Sequence, residues 1–306
     1  MATIISASRR TDIPRYFAGW FAERRRQGFA EFRTAFGVAG RVSLRPDDVL
    51  GYLFWTRHAR PFAAALAALS AEGVPHAFQY TLTGYGRELE PTAPPLCESV
   101  DDFLRVSAAL PDPGCIEWRY DPIVLSATCD AAHHRRSFGA LARVLAGATR
   151  VVNVSVVEPY LRAVSRIPDP SVRYRRPDPR RHATVVRRFP GLAVAGSEAT
   201  ALCADLAAIA AEHGMALRVC SNPELDAARS QCCGPELFRP WGAATAARLA
   251  ALCGAPTRPG CRCLATVDIG TNDTCVAACR YCYAVRSHAA AVASYRRHDP
   301  GAPALG

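Results

Sequence analysis

Short apolar runs alternate along most of the chain with stretches whose apolar residues recur at helical spacing. Thr3–Ala7, Tyr52–Trp55, Ala77–Leu82, Ile116–Tyr120, Val151–Val157 and Ala216–Val219 have the length and apolar content of strands. Phe62–Ala71, Phe138–Leu145 and Ala199–His213 are rich in alanine and leucine and predict helices. Another helix is expected to begin at Asp101, Asp102 and Phe103, after the loop Pro91–Ser99. Pro46-Asp47-Asp48 and Ser197-Glu198 resemble helix starts, and Gly73 and Gly214 sit where helix C-termini would end. Strands alternating with helices argue for an α/β fold with a parallel sheet. Six or more such units over about 220 residues favour a full or partial (β/α) barrel. Ile167–Arg181, rich in proline and arginine, is expected to form a long loop or lid. From Cys220 onward cysteines cluster, and prolines and glycines increase. Residues 1–219 are therefore expected to form a barrel-like domain, and 220–306 a cysteine-rich metal-binding segment packed on the barrel mouth.

Composition narrows the class. A chain of 306 residues, 50% of them apolar, can bury a large core. It contains no run of 18 apolar residues, and Arg9 and Arg10 arrive too early for a secretory leader. A cytoplasmic protein without a membrane segment is expected. Thirteen cysteines in a long chain of this kind point to metal binding or redox chemistry rather than a disulfide scaffold. The net charge of +10 is carried entirely by arginine, since the chain has no lysine. With so much alanine, that bias is what GC-rich coding produces, and a solvated basic surface is the simpler reading. Two stretches are nevertheless dense in arginine, 9–26 and 162–188. They keep nucleic acid open as a substrate or partner.

The strongest chemical signal lies between Thr274 and Tyr283, where Cys275-x₃-Cys279-x₂-Cys282 places three thiols within eight residues. Soft thiolates select zinc or iron–sulfur centres. Zinc ordinarily takes four protein ligands, so three cysteines without an evident fourth suit a 4Fe–4S cluster with one open iron. An open iron can chelate the amino and carboxylate groups of S-adenosylmethionine. Given an electron donor, it can cleave the sulfonium to a 5′-deoxyadenosyl radical. The spacing, with the aromatic Tyr281 before the last cysteine, resembles the signature of the radical S-adenosylmethionine superfamily. In most of that superfamily the motif follows the first barrel strand, whereas here it lies near the C-terminus. The departure implies a circularly permuted barrel or a cluster serving another purpose. A wider likeness runs through Ser8-Arg9-Arg10-Thr11-Asp12-Ile13-Pro14, Phe54-Trp55-Thr56, Thr81-Leu82-Thr83-Gly84-Tyr85, Trp118-Arg119-Tyr120-Asp121-Pro122 and Val267-Asp268-Ile269-Gly270. These segments, with Cys282-Tyr283-Ala284, resemble the bacterial family catalogued as domain of unknown function 1848. That likeness implies a bacterial cytoplasmic protein with a metal-binding C-terminus.

Cys220, Cys232, Cys233, Cys261 and Cys263 form a second candidate metal set, for a second cluster or structural zinc, with either Cys232 or Cys233 as ligand. Cys97, Cys115, Cys129, Cys203 and Cys253 are expected to be buried apolar residues. If the fold is a barrel, polar residues at the C-terminal strand ends face its mouth. Ser8, Arg9, Arg10 and Asp12, Thr56 and Arg57, Thr83 and Tyr85, Arg119 and Asp121, and Glu158 are placed there. Arg119, Asp121, Arg9 and Asp12 are the catalytic candidates, set against the alternatives of a structural ion pair and a solvated turn. His133-His134, beside Arg135-Arg136, is expected on a solvated helix face. The chain has no P-loop, no GxGxxG after a strand and no GxSxG elbow. Their absence argues against nucleotide hydrolysis, dinucleotide-dependent dehydrogenation and serine hydrolysis. Three functions remain. One is a radical S-adenosylmethionine-type enzyme, another is a zinc- or cluster-stabilised module that binds nucleic acid without catalysis, and the third is an electron-transfer or sensing cluster that never cleaves S-adenosylmethionine.

Overall fold

The computed structural model describes residues 2–34 and 37–306. Its strands are β1 (Thr3–Ala7), β2 (Phe29–Arg33), β3 (Ala39–Ser43), β4 (Val49–Thr56), β5 (His76–Thr81), β6 (Ile116–Ile123), β7 (Val151–Val156), β8 (Ala216–Val219) and β9 (Thr266–Asp268). The helices are α1 (Ile13–Tyr16), α2 (Ala18–Gln27), α3 (Ala63–Ala71), α4 (Leu96–Ala108), α5 (Ala131–Leu145), α6 (Leu161–Val164), α7 (Ala183–Arg188), α8 (Gly196–Glu212), α9 (Ala243–Ala250) and α10 (His288–Arg296).

Seven strands form one parallel sheet in the order β8-β7-β6-β5-β4-β1-β9, and β2 and β3 form a separate antiparallel pair. Along the chain β9 comes last, yet it pairs with β1, with Ser6 opposite Asp268. Counted from that edge, β9 is followed by β1 and then by the remaining strands in chain order. No helix among the described residues is long and apolar enough to cross a membrane.

Parallel strands are covered on both faces, which accounts for their near-continuous apolar runs. Alternate residues serve different neighbours. Tyr52, Phe54, Phe78, Tyr80, Trp118, Tyr120, Val152 and Val154 share a core with Trp20 and Phe21 of α2, Leu66 and Leu69 of α3, Phe103 of α4, Phe138 of α5 and Leu202 and Leu206 of α8. The residues between them face the other way. There Ile4, Leu53 and Ala77 pack with Leu237, Phe238, Leu249 and four cysteines from the stretch between β8 and β9. Gly51 belongs to this face, and a Cβ on it would come within 2.6 Å of the Phe238 ring.

The helix at Leu96–Ala108 begins before the expected Asp101, and Pro46–Asp48 is a single 3₁₀ turn leading into β4. Gly73 and Gly214 have positive φ just after α3 and α8, as expected of helix stops. His134 is fully buried instead of solvated: its Nδ1 lies 2.8 Å from the Tyr120 hydroxyl, and its Nε2 meets the Val124 carbonyl at 3.1 Å. It shares the inner helix face with Phe138, Leu141 and Leu145. Cys115 and Cys203 are buried as expected, while Cys97 and Cys253 are exposed.

Candidate metal and cofactor site

Polar side chains collect at the C-terminal ends of the parallel strands and hold the cysteine loop that follows β9. Asp268 ends that strand. Its carboxylate accepts from the Ser6 hydroxyl (2.9 Å), the Ser8 hydroxyl (2.6 Å) and the backbone amides of Arg9 (2.9 Å) and Gly270 (3.0 Å). Arg10 adds an ion pair at 3.3 Å. One carboxylate thereby fastens β9 to the turn leaving β1. Sequence reasoning missed this role, whose one signal is an acidic residue inside a short apolar run.

The loop itself is pinned from several elements. Thr274 meets Thr11 hydroxyl to hydroxyl at 2.5 Å, and Thr11 donates to the Thr271 carbonyl at 2.7 Å. Thr92 donates to the Ala277 carbonyl at 2.7 Å, and the Arg280 amide donates to the Leu89 carbonyl at 2.9 Å. Arg162 donates to the Tyr283 carbonyl at 2.6 Å, and Arg166 to that of Cys282. Ala278, between the first two motif cysteines, has φ of 58°, so the chain reverses there through the left-handed region. Cys275, Cys279 and Cys282 are half-buried and unbonded. Burial, reinforced by the neighbouring Cys282, pushes the Cys275 thiol up. Burial raises Cys279 to about 11, and Arg57 opposes that rise. Held without a cation the Cys275 and Cys279 sulfurs are protonated thiols, and a bound metal centre would hold its cysteines as thiolates.

Tyr281 is tied into the ends of β4 and β5. Its hydroxyl donates to Glu90 and accepts from Arg57. Arg57 also pairs with Glu90 at 2.7 Å, and Thr83 donates to Glu90 at 2.6 Å. Asp12 accepts from Thr56 (2.7 Å) and from the amides of Arg57 (3.0 Å) and Arg15 (3.1 Å), the last as the N-cap of α1. Burial raises its carboxyl to about 6 against those hydrogen bonds.

The other three catalytic candidates lie elsewhere, on the sheet face that carries the second cysteine set. Arg9 donates to Cys233 Sγ at 2.7 Å and lies over Trp55 at 5.3 Å. Arg119 donates to Cys232 Sγ at 3.2 Å and to Gln79 at 3.2 Å, lies over Trp55 at 5.1 Å and pairs with Asp121. Ser155 donates to the other Asp121 oxygen, and with Arg119 it holds that carboxyl below its usual range against the opposing effect of burial. Gln79 and Asn153 each donate to Glu117 at 2.6 Å. Arg258, not singled out from sequence, donates to Cys220 Sγ at 3.1 Å. The five cysteines of the set come together in one buried cluster: Cys220 and Cys232 lie 3.7 Å apart, and the Cys263 amide donates to Cys261 Sγ at 3.5 Å. Among the described residues, no three His, Cys, Asp or Glu side chains form a group that would hold a single metal ion. A 4Fe–4S centre poses a different demand, since each thiolate binds its own iron. Three thiols on one pinned, reversing loop meet that donor chemistry.

Many of the arginines behind the basic charge serve the fold. Arg15 and Arg24 donate to the carbonyls of Thr92 and Gly301, while Arg25 and Arg26 pair with Glu72 and Glu23. Arg173 pairs with Glu198, and Arg175 with Glu158 and Glu224. Glu158 at the end of β7 also faces Arg181 and His182. A cavity of about 350 Å³ lies beside this cluster, lined by Arg175, Asp178, Val156, Thr200 and Glu224. It does not reach either cysteine set.

A family model described as a domain of unknown function, DUF1848, matches residues 4–284. The chain belongs to that family. The DUF1848 match takes in β1 from Ile4 onward, the other six strands of the parallel sheet and all three cysteines of the pinned loop. No curated protein matches the chain.

Proposed function

We propose that this DUF1848 chain is a radical S-adenosylmethionine-type enzyme with Cys275, Cys279 and Cys282 as the ligands of a 4Fe–4S cluster. The observation that supports this most is the position of β9. Counted from its edge, β9 is the first strand of the parallel series, and the CxxxCxxC loop follows it directly. The resemblance calls for a motif after the first strand, and a circularly permuted partial barrel meets that requirement despite the motif's late place in the chain. When bound, such a cluster supplies an open iron for the amino and carboxylate groups of S-adenosylmethionine and the electron that releases a 5′-deoxyadenosyl radical.

The chain's own residues do the positioning. Asp268 sets the loop against the β1 turn, while Thr11, Thr92 and Arg166 hold its carbonyls and hydroxyls. Arg57, fixed by Glu90, brings a positive charge beside Cys279, and Arg166 brings one beside Cys282. The charge beside Cys279 favours thiolate over thiol. Tyr281 closes the site toward β5 with both sides of its hydroxyl engaged. An electron donor is the required partner.

The test is anaerobic reconstitution followed by incubation with reductant and S-adenosylmethionine. The proposal expects 5′-deoxyadenosine, and a Cys275/Cys279/Cys282→Ala variant that makes none and loses about four irons per chain. A colourless wild-type protein holding stoichiometric zinc would overturn it in favour of a zinc-stabilised binding module. A brown protein that never yields 5′-deoxyadenosine would overturn the enzymatic part.

A further inference from the structure

The sheet face opposite α2 to α5 and α8 carries three guanidinium groups that end on sulfur. Arg9 reaches Cys233, Arg119 reaches Cys232 and Arg258 reaches Cys220. Among the described residues, only Arg119 of the three forms an ion pair with a carboxylate. Cations drawn out of water need anionic partners, and a neutral thiol is a weak acceptor. The sulfurs they address come from two separate parts of the chain, the end of β8 and the turn at Cys232-Cys233, and Cys263 packs with them from the stretch before β9. Cys220, Cys232, Cys233 and Cys263 are all less than 9% exposed, and Cys261 sits half-buried beside Cys263.

We propose that Cys220, Cys232, Cys233 and Cys263 hold a second iron–sulfur cluster on this face of the sheet, with Arg9, Arg119 and Arg258 donating to its thiolates. Four metal-held thiolates supply the negative charge that Arg9 and Arg258 lack. A single zinc ion would draw its four sulfurs round one point, with edges of about 3.8 Å. One pair, Cys220 and Cys232, lies near that separation, but no single-ion group forms among the described residues. Cys232 and Cys233, adjacent in the chain, reach different arginines, which suits ligands that serve different irons. Hydrogen bonds to cluster sulfurs set the reduction potential, so the three arginines would tune this centre as well as neutralise it. The inference is independent of the reading of Cys275, Cys279 and Cys282.

The experiment uses the full chain with Cys275, Cys279 and Cys282 changed to alanine, which leaves the second set intact. After anaerobic reconstitution it is expected to keep about four irons per chain and a colour bleached by dithionite, against about eight irons in the wild type. Arg258→Gln in that background is expected to shift the midpoint potential while leaving the iron count unchanged. A folded triple variant without iron, or with one zinc per chain, would overturn the proposal. Should the triple variant fail to fold, Cys232→Ser/Cys263→Ser in the otherwise wild-type chain decides, because an iron count equal to the wild type's overturns the proposal. Formation of 5′-deoxyadenosine by the wild type is read separately and reports only on the first site.

Discussion

Replacing Asp268 with asparagine tests whether one carboxylate joins the cysteine loop to β1. The substitution keeps the shape and one acceptor oxygen but turns an NH₂ group toward one set of donors. Oδ2 now accepts from the Ser6 hydroxyl and the Arg9 amide, while Oδ1 accepts from Ser8 and Gly270 and pairs with Arg10. A serine hydroxyl can rotate to accept, but a backbone amide cannot, so one N–H loses its partner whichever way the amide is turned. A hydrogen bond to a charged group contributes roughly 1.5–3 kcal/mol, and the Arg10 pair weakens as well. The expected loss is about 3 kcal/mol. In a chain of this size that lowers Tm by roughly 6 °C at about 2 °C per kcal/mol. Thermal unfolding followed by circular dichroism measures it, with Thr92→Val, which removes a neutral bond to the Ala277 carbonyl, as the comparison at about 1 kcal/mol. A variant melting within a degree of wild type, or no further than Thr92→Val, would refute the role given to Asp268.

Three further outcomes follow from the same geometry. Gly270→Ala would place a Cβ 2.0 Å from the Ser8 hydroxyl; it should cost about 1–3 kcal/mol, read by urea denaturation, and lower iron retention after reconstitution. Ala278→Gly relieves a left-handed residue and should stabilise by up to about 1 kcal/mol, whereas Ala277→Gly should destabilise; equal melting shifts would contradict the loop geometry. His76, buried against Trp241, titrates at about 4 because burial disfavours its charged form. Its folded pKa lies below the unfolded value near 6.5, so its stabilising share is complete above that pH and declines as pH falls toward 4. Relative to His76→Asn, which retains a donor for the Val74 carbonyl, the wild type should lose about 2 kcal/mol between pH 7.5 and pH 5 in paired denaturation curves.

The parallel core was legible because its strands are short apolar runs: β1 and β8 fall on the expected residues, and β4 to β7 differ only at their ends. A hairpin and a strand pairing were hidden for different reasons. The β2–β3 hairpin carries little apolar signal, with charged Glu31, Arg33 and Arg41 among its residues. The run after Cys263 reads as strand-like and forms β9, but its pairing with β1 is information that no local window contains. His134 was misplaced because Arg135 and Arg136 dominate its neighbourhood, while its helical phase follows Phe138 and Leu141. At the site, the cysteines announced themselves by spacing. Their companions did not, because Asp268, Glu90 and Arg258 matter through contacts across the fold.

Ser6 and Asp268, hydrogen-bonded neighbours, are 262 positions apart in the chain. During synthesis β1 must therefore wait, one flank bare, until nearly the whole polypeptide has emerged before its last neighbour arrives. Contacts of such span are slow to form, and a nascent or clipped chain ending before β9 would present that flank to any other strand it met.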